Sequence, residues 1–300
     1  MARTKLLFCL LLPMLTFPGY ARHPLKKQIQ TIIREKNASV GVAVLYEGKE
    51  LIAVNDKPDY PMMSTFKFPL ALAVLDRLEK HRLPLDTEIY VGKSDLKPDT
   101  YSPLREKLPE GEFNMPVSEL LRYCVSLSDN NAADILIEYI GGIQALQHYL
   151  NKLGISDMAV GATEEQMHRD PENLFLNTTR PSTSANLMER FMDKRLLSAP
   201  YQSFLERILT ETATGTDKLK GLLPAGTVIG HKTGSSDRND KGIKLADNDM
   251  GFVLLPDGKR YTIAVFIKNS IESDKANADI IARISKAVYD YYNKGKQAKK

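Results

Sequence analysis

Strand-forming runs lie near both ends of this 300-residue chain, and the long stretch between them reads as one helix after another. Residues 39–46 (SVGVAVLY) are rich in β-branched side chains, 47–50 have the composition of a turn, and 51–54 return as a second strand. Comparable runs reappear only at 227–231, 250–255 and 261–268. Between them, apolar residues at helical spacing mark 68–80, 117–126, 132–140, 143–153, 182–194 and 201–211, with a polar loop over 161–181. A helix over 24–36, with Leu25, Ile29, Ile32 and Ile33 on one face, precedes the first strand, and another over 276–292 follows the last. A sheet drawn from both ends of a chain encloses whatever lies between. The expected architecture is therefore an α/β domain from residues 22–60 and 212–300, an antiparallel sheet flanked by terminal helices, with an all-α domain (61–211) inserted in it. The cleft between two such domains is the expected place for a site.

The first 21 residues read as an export signal rather than as fold. Arg3 and Lys5 precede an apolar run from Leu6 to Leu15, and Gly19-Tyr20-Ala21 supplies small residues at the two positions a signal peptidase reads. The run is too short to span a bilayer, and Phe8 is too bulky for the usual lipidation site at Cys9. The mature chain is expected to be secreted, periplasmic after cleavage, and without a stable membrane anchor.

Composition narrows the function classes. Hydrophobic residues (43%) and charged residues (26%) stand in ordinary globular proportion. Losing Arg3 and Lys5 with the signal takes the formal charge from +4 to +2, which gives no pull toward nucleic acid. Cys124 is then the sole cysteine, so no internal disulfide can form. The five histidines show no metal-ligand spacing, and there is no glycine-rich phosphate loop. No metal or organic cofactor is expected, and no segment suggests association beyond a monomer.

Serine becomes a useful nucleophile only beside a base, and lysine can be that base when burial or nearby cations lower its pKa. Residues three apart on a helix share a face, so Ser64-Thr65-Phe66-Lys67 brings such a pair together at a helix start. Ser94-Asp95-Leu96-Lys97 has the same spacing, but it lies in a polar stretch before Pro98 with no helix following. Two further motifs single out the first. Ser128-Asp129-Asn130 falls between two helices, and Lys232-Thr233-Gly234 falls on a C-terminal strand. S-x-x-K, S-D-N and K-T-G in this order are the set shared by class A β-lactamases and penicillin-binding proteins.

On these three motifs the chain resembles the class A serine β-lactamases over nearly all of its mature length. Met62-Met63 before Ser64, Asn131-Ala132-Ala133 after Asn130, and Gly221-Leu222-Leu223-Pro224-Ala225-Gly226 before Lys232 are similar to the family's segments. The stretch Thr163-Glu164-Glu165-Gln166-Met167-His168 resembles the PER-type extended-spectrum branch. The resemblance implies an acyl-enzyme on Ser64, with Lys67, or Glu164 through a water, as base. Ser128 and Lys232 would protonate the leaving nitrogen, and Glu164 would activate the deacylating water. It further implies that Asn130 meets the substrate side-chain amide, that Thr233, Gly234 and Ser235 line the carboxylate and oxyanion end, and that Tyr101 and His168 border the cleft.

Some points stay open at this level. Glu165 adjoins Glu164, so the deacylating residue is either of the two, with Glu164 the better match. Glu165 stands where many relatives have proline, and His168 where they have an asparagine that helps hold the water. Arg238 and Lys241 follow the K-T-G strand, and neither is assigned to the substrate carboxylate. The expected substrates are β-lactam antibiotics, both penicillins and cephalosporins. A penicillin-binding protein or DD-peptidase, and a non-catalytic β-lactam sensor, are the alternatives.

Overall fold

Residues 23–294 are described by the computed structural model; the expected export signal at 1–21 lies outside them. Helix α1 (Pro24–Ile33) leads into strands β1 (Ser39–Tyr46), β2 (Glu50–Val54) and the short β3 (Tyr60–Pro61). A 3₁₀ turn, Met63–Phe66, runs directly into α2 (Lys67–His81). The middle of the chain contains β4 (Glu88–Val91), α3 (Pro103–Lys107), β5 (Phe113–Pro116), α4 (Val117–Ser126), α5 (Asn130–Tyr139), α6 (Ile143–Lys152), β6 (Met158–Ala159), α7 (Glu164–Arg169), β7 (Thr178–Thr179), α8 (Pro181–Met192) and α9 (Ala199–Thr210). Strands β8 (Ile229–Ser235), β9 (Lys244–Leu254) and β10 (Arg260–Ser270) and helix α10 (Asp274–Lys294) complete the fold.

The main sheet has five strands in the order β2-β1-β10-β9-β8, every pair antiparallel. β1 pairs along its whole length with β10, from Ser39 opposite Lys268 to Tyr46 opposite Tyr261. Alternation along the strands sorts side chains to two faces. Val40, Val42, Val44, Ile263, Val265 and Ile267 form an outer apolar face against Leu25 and Ile29 of α1 and Ile280, Ile281, Ile284 and Val288 of α10. The inner face carries Ala43, Met250, Phe252, Ala264 and Phe266, and packs on α2, α8 and the rest of the helical region. Gly41 belongs to that face because a Cβ there would lie 2.5 Å from the Tyr60 ring.

Helix α2 is the centre of the helical region, and its residues from Lys67 through Leu75 are all buried. Pro69 sits in its first turn, where no N–H is needed, and Lys80 and His81 occupy the last turn, where the helix dipole favours cations. Phe68 meets Phe191 of α8 edge-on at 5.7 Å between ring centroids. Two details differ from the sequence expectation. The middle region carries small pairings, β4–β5 and β3-β7-β6, beside its helices. The stretch 161–181 is not a plain loop: it contains α7, the 3₁₀ helix Pro171–Leu176 and β7. Each of these pieces is six residues or fewer, too short to express a hydrophobic period.

Candidate active site

The turn bearing Ser64 is held from three sides. Met63 adopts a left-handed φ of 45°. The Met62 N–H donates to the Asn177 carbonyl at 2.8 Å, Thr65 Oγ1 donates back to the Met62 carbonyl at 2.7 Å, and Asn248 Nδ2 of β9 donates to the Pro61 carbonyl at 2.7 Å. Strand β8 passes so close that a Cβ on Gly234 would lie 2.6 Å from the Met62 carbonyl and 3.0 Å from the Ser64 nitrogen. Only a residue without a side chain permits that approach.

One turn on, Lys67 is fully buried and its ammonium meets three acceptors. They are the Ser128 carbonyl at 2.8 Å, Asn130 Oδ1 at 2.5 Å and Glu164 Oε1 at 2.8 Å. Three donors with three partners is full satisfaction for a lysine, and that is what makes a buried charge tolerable. Ser64 Oγ donates to the same Glu164 oxygen at 3.2 Å.

The second motif is built on a strained turn. Ser128 has φ 61°, and the next residue, Asp129, is the buried N-cap of α5, accepting from the Ala132 and Leu104 N–H groups and from Ser102 Oγ. Ser128 Oγ accepts from Lys232 Nζ at 2.8 Å, and Lys232 also donates to the Thr233 carbonyl at 2.9 Å. Burial first, then the nearby Lys67 charge, pulls the Lys232 amine down to about 7. Such an amine can change protonation state near neutral pH while keeping its bond to Ser128. Thr233 Oγ1 and Thr214 Oγ1 are 2.7 Å apart, and Ser235 opens onto the cleft.

Glu164 opens α7, where a capping box links Thr163 with Gln166. It is buried, and it faces Ser64 and Lys67. Its neighbour Glu165 turns outward to Arg169 at 2.7 Å and Lys97 at 4.0 Å. The geometry thus separates two carboxylates that the sequence leaves as alternatives. Asn177 is fully buried: Oδ1 accepts from the Gly161 and Ala162 N–H groups, and Nδ2 donates to the Ala162 carbonyl. Asn177-Thr178-Thr179 has the form of an N-glycosylation sequon, but the burial of Asn177 makes it an internal clamp rather than an accessible glycan site. Tyr101 and His168 line a cleft of about 750 Å³ together with Ser64, Asn130, Glu164 and Ser235. Asn130 Nδ2 is anchored on Thr100 Oγ1 at 2.8 Å.

The competing Ser94–Lys97 motif is not brought to the cleft: Lys97 is half-exposed beside Glu165. Arg238 lines the cleft, but its guanidinium donates to Asp274 and to the Glu272 and Gly242 carbonyls. Sequence reasoning missed a buried pair, Lys218 Nζ to Asp247 Oδ1 at 2.5 Å, beside the β8 segment that carries Thr233 and Ser235. No periodicity marks Lys218, since it lies in an irregular segment. His231 is buried against Asp249 at 3.0 Å, and among the described residues no group of three or more His, Cys, Asp or Glu could hold a metal ion.

Comparison with known proteins agrees with this geometry. The model of the β-lactamase enzyme family matches residues 24–292. A β-lactamase of Bacteroides uniformis is 46% identical over 267 residues, covering 89% of this chain and 90% of that protein. The extended-spectrum β-lactamase PER-1 of Pseudomonas aeruginosa is 40% identical over 278 residues, covering 92% and 90%. The crystal structure of a representative class A β-lactamase from Bacteroides cellulosilyticus superposes with a TM-score of 0.87 at 48% identity, over 90% of this chain and 97% of that one. With its motifs gathered around one cleft and these relatives spanning nearly all of its length, the chain belongs to the β-lactamase enzyme family, as a class A serine β-lactamase.

Proposed function

We propose that this β-lactamase opens the lactam ring through an acyl-enzyme on Ser64 and frees itself by a water that Glu164 activates. Ser64 Oγ attacks the lactam carbonyl, and its proton goes either to Lys67, after the Lys67 ammonium has passed one of its own to Glu164, or to Glu164 through a water. The N–H groups of Ser64 and Ser235 hold the oxyanion. As the C–N bond breaks, Ser128 passes a proton to the leaving nitrogen and is resupplied by Lys232. Water then adds to the ester, Glu164 takes its proton, and Ser64 recovers its own as the acid leaves. Asn130 receives the substrate's side-chain amide, and Thr233 and Ser235 bind its carboxylate in the positive field of Lys232.

The observation that carries this reading is a shared oxygen: Glu164 Oε1 lies 3.2 Å from Ser64 Oγ and 2.8 Å from Lys67 Nζ. One carboxylate thereby reaches both the nucleophile and its amine. The site lies between an α/β unit (22–60 and 212–300) and a helical unit (61–211). The enzyme acts as a monomer in the periplasm after residues 1–21 are removed; among the described residues no helix is long and apolar enough to cross a membrane. Penicillins and cephalosporins are the substrates, bulky cephalosporins included, in keeping with the similarity to PER-1, whose name describes an extended spectrum.

The test is steady-state turnover of a chromogenic cephalosporin by the mature protein, with intact-mass analysis of the same sample. Many turnovers without a lasting adduct is the expected result. One stable adduct per chain without turnover would remove the role given to Glu164.

A further inference from the structure

The cleft carries charge of both signs at two depths. Lys67 and Lys232, beneath it, are fully buried. At its mouth three exposed carboxylates join the lining: Asp99, from the segment between β4 and α3, and Asp237 and Asp240, from the loop between β8 and β9. None of the three makes an ion pair among the described residues. The guanidinium in the same lining, that of Arg238, is tied to Asp274 Oδ1 at 2.6 Å and to the Glu272 and Gly242 carbonyls. Lys97 and Arg169 face Glu165, and Arg105 donates to the Lys97 and Thr100 carbonyls. The mouth therefore keeps uncompensated negative charge above a positive floor.

Asp99 stands where an acyl side chain would pass. Asn130, which receives the substrate's side-chain amide on the reading above, donates from Nδ2 to Thr100 Oγ1 at 2.8 Å, and Asp99 is the next residue along the chain. Asp99, Thr100 and His168 also line a side cavity of about 230 Å³ that adjoins the cleft. Space and an unpaired carboxylate meet just beyond the amide.

We propose that this acidic mouth selects among β-lactams by the charge of the acyl side chain, with Asp99 favouring side chains that carry an ammonium group and opposing those that carry a second carboxylate. The proposal rests on the reading of Asn130 as partner of the side-chain amide. The carboxylate common to penicillins and cephalosporins goes to the cationic floor, so the preferred substrate is a zwitterion whose two charges are matched at two depths. Exposed carboxylates act through a screened field, so the selection is exerted on capture of the substrate and weakens with salt.

The experiment uses three penicillins that share one nucleus and one phenyl ring and differ at the side-chain α-carbon: benzylpenicillin with hydrogen, ampicillin with an amine and carbenicillin with a carboxylate. kcat/KM is measured for each at about pH 6.5, below the pKa of an α-amine, in the wild type, Asp99→Asn, Asp99→Glu and the double variant Asp237→Asn/Asp240→Asn. Asp99→Asn is expected to lower kcat/KM for ampicillin and raise it for carbenicillin, each about 3–10-fold, the scale of a rim charge, with benzylpenicillin moving least. Asp99→Glu should restore the wild-type ratio, and the double variant should shift it in the same direction as Asp99→Asn. Raising salt from about 0.02 to 0.5 M should compress the wild-type ratio. An ampicillin-to-carbenicillin ratio that Asp99→Asn leaves within about twofold overturns the proposal, as does a variant that slows both substrates alike or a wild-type ratio that salt does not move. Asn130→Ala is the control for the underlying reading: if it slows none of the three penicillins, the amide is not held there, which is a different failure from that of Asp99.

Discussion

The two faces of the main sheet are covered by different material. Outside, branched aliphatic residues of β1, β10, α1 and α10 interlock with no ionisable group beyond tyrosine in the cluster. Inside, beside an equally apolar core, the cleft buries Lys67 and Lys232 completely and Glu164 almost completely, and bends Met63 and Ser128 into positive φ. Those features are costly: desolvated charges and left-handed non-glycine residues each oppose folding. The outer face supplies stability through burial at roughly 25 cal/mol per Å², and the cleft uses part of it to hold reactive groups in place. The outer face thus carries stability without chemistry while the inner side carries both, and substitutions on the outer face should affect stability alone.

The largest expected effect on the cleft side is Ser64→Ala. Turnover should fall by about 10⁶, the scale set by removing a serine nucleophile elsewhere, and intact mass should show no β-lactam adduct. Labelling that persists would move the nucleophile. Next comes the pair Glu164→Gln and Glu165→Gln. The first should slow deacylation about 10²–10⁴-fold and accumulate acyl-enzyme; the second, whose carboxylate faces Arg169, should stay within about twofold, since surface ion pairs contribute little. The reverse pattern would shift the base by one residue.

On the outer face, Ile281→Ala removes a fully buried side chain of α10 and should cost about 2–5 kcal/mol in denaturant unfolding. Its kcat on the folded enzyme should be unchanged. A matching loss of kcat would show that the two faces are not independent.

The gentlest test is pH. The folded state holds Lys232 near 7 against 10.5 for an ordinary lysine. Between those values the unfolded chain binds the extra proton, so this group makes stability rise with pH through that window. Lys232→Met should flatten that slope in unfolding titrations. An unchanged slope would mean that the two acceptors on Lys232 outweigh its burial.

Legibility in the sequence follows the same division. Where one face is apolar over many residues, the pattern sufficed: 39–46 is a strand and 117–126 a helix with the expected bounds. The strand signal covers 227–231, whereas the strand that carries Lys232-Thr233-Gly234 runs from Ile229 to Ser235, because Lys232, Gly234 and Ser235 carry no β-branched signal. The three motifs led to Ser64, Lys67, Ser128 and Lys232 because their chemistry is local in spacing. Asn248 and Lys218 look locally like any polar residue, and Asn177 shows only as the head of a sequon, since each acts through a partner remote in the chain. For α7, the local signs are the Thr163–Gln166 capping box, the acidic Glu164 and Glu165 in its first turn, and the basic His168 and Arg169 in its last.

The pairing of β1 with β10 has a consequence for the order in which this molecule can come into being. Ser39 meets Lys268 and Tyr46 meets Tyr261, so the first long strand has its neighbour on that side only after more than two hundred further residues have been synthesised. β8, β9 and β10 must join it before the K-T-G segment has a sheet to stand on. Contacts of such long sequence separation form late and slowly. A growing chain of this topology stays open until its last strands emerge, and a truncation before residue 260 removes the strand that joins the two ends.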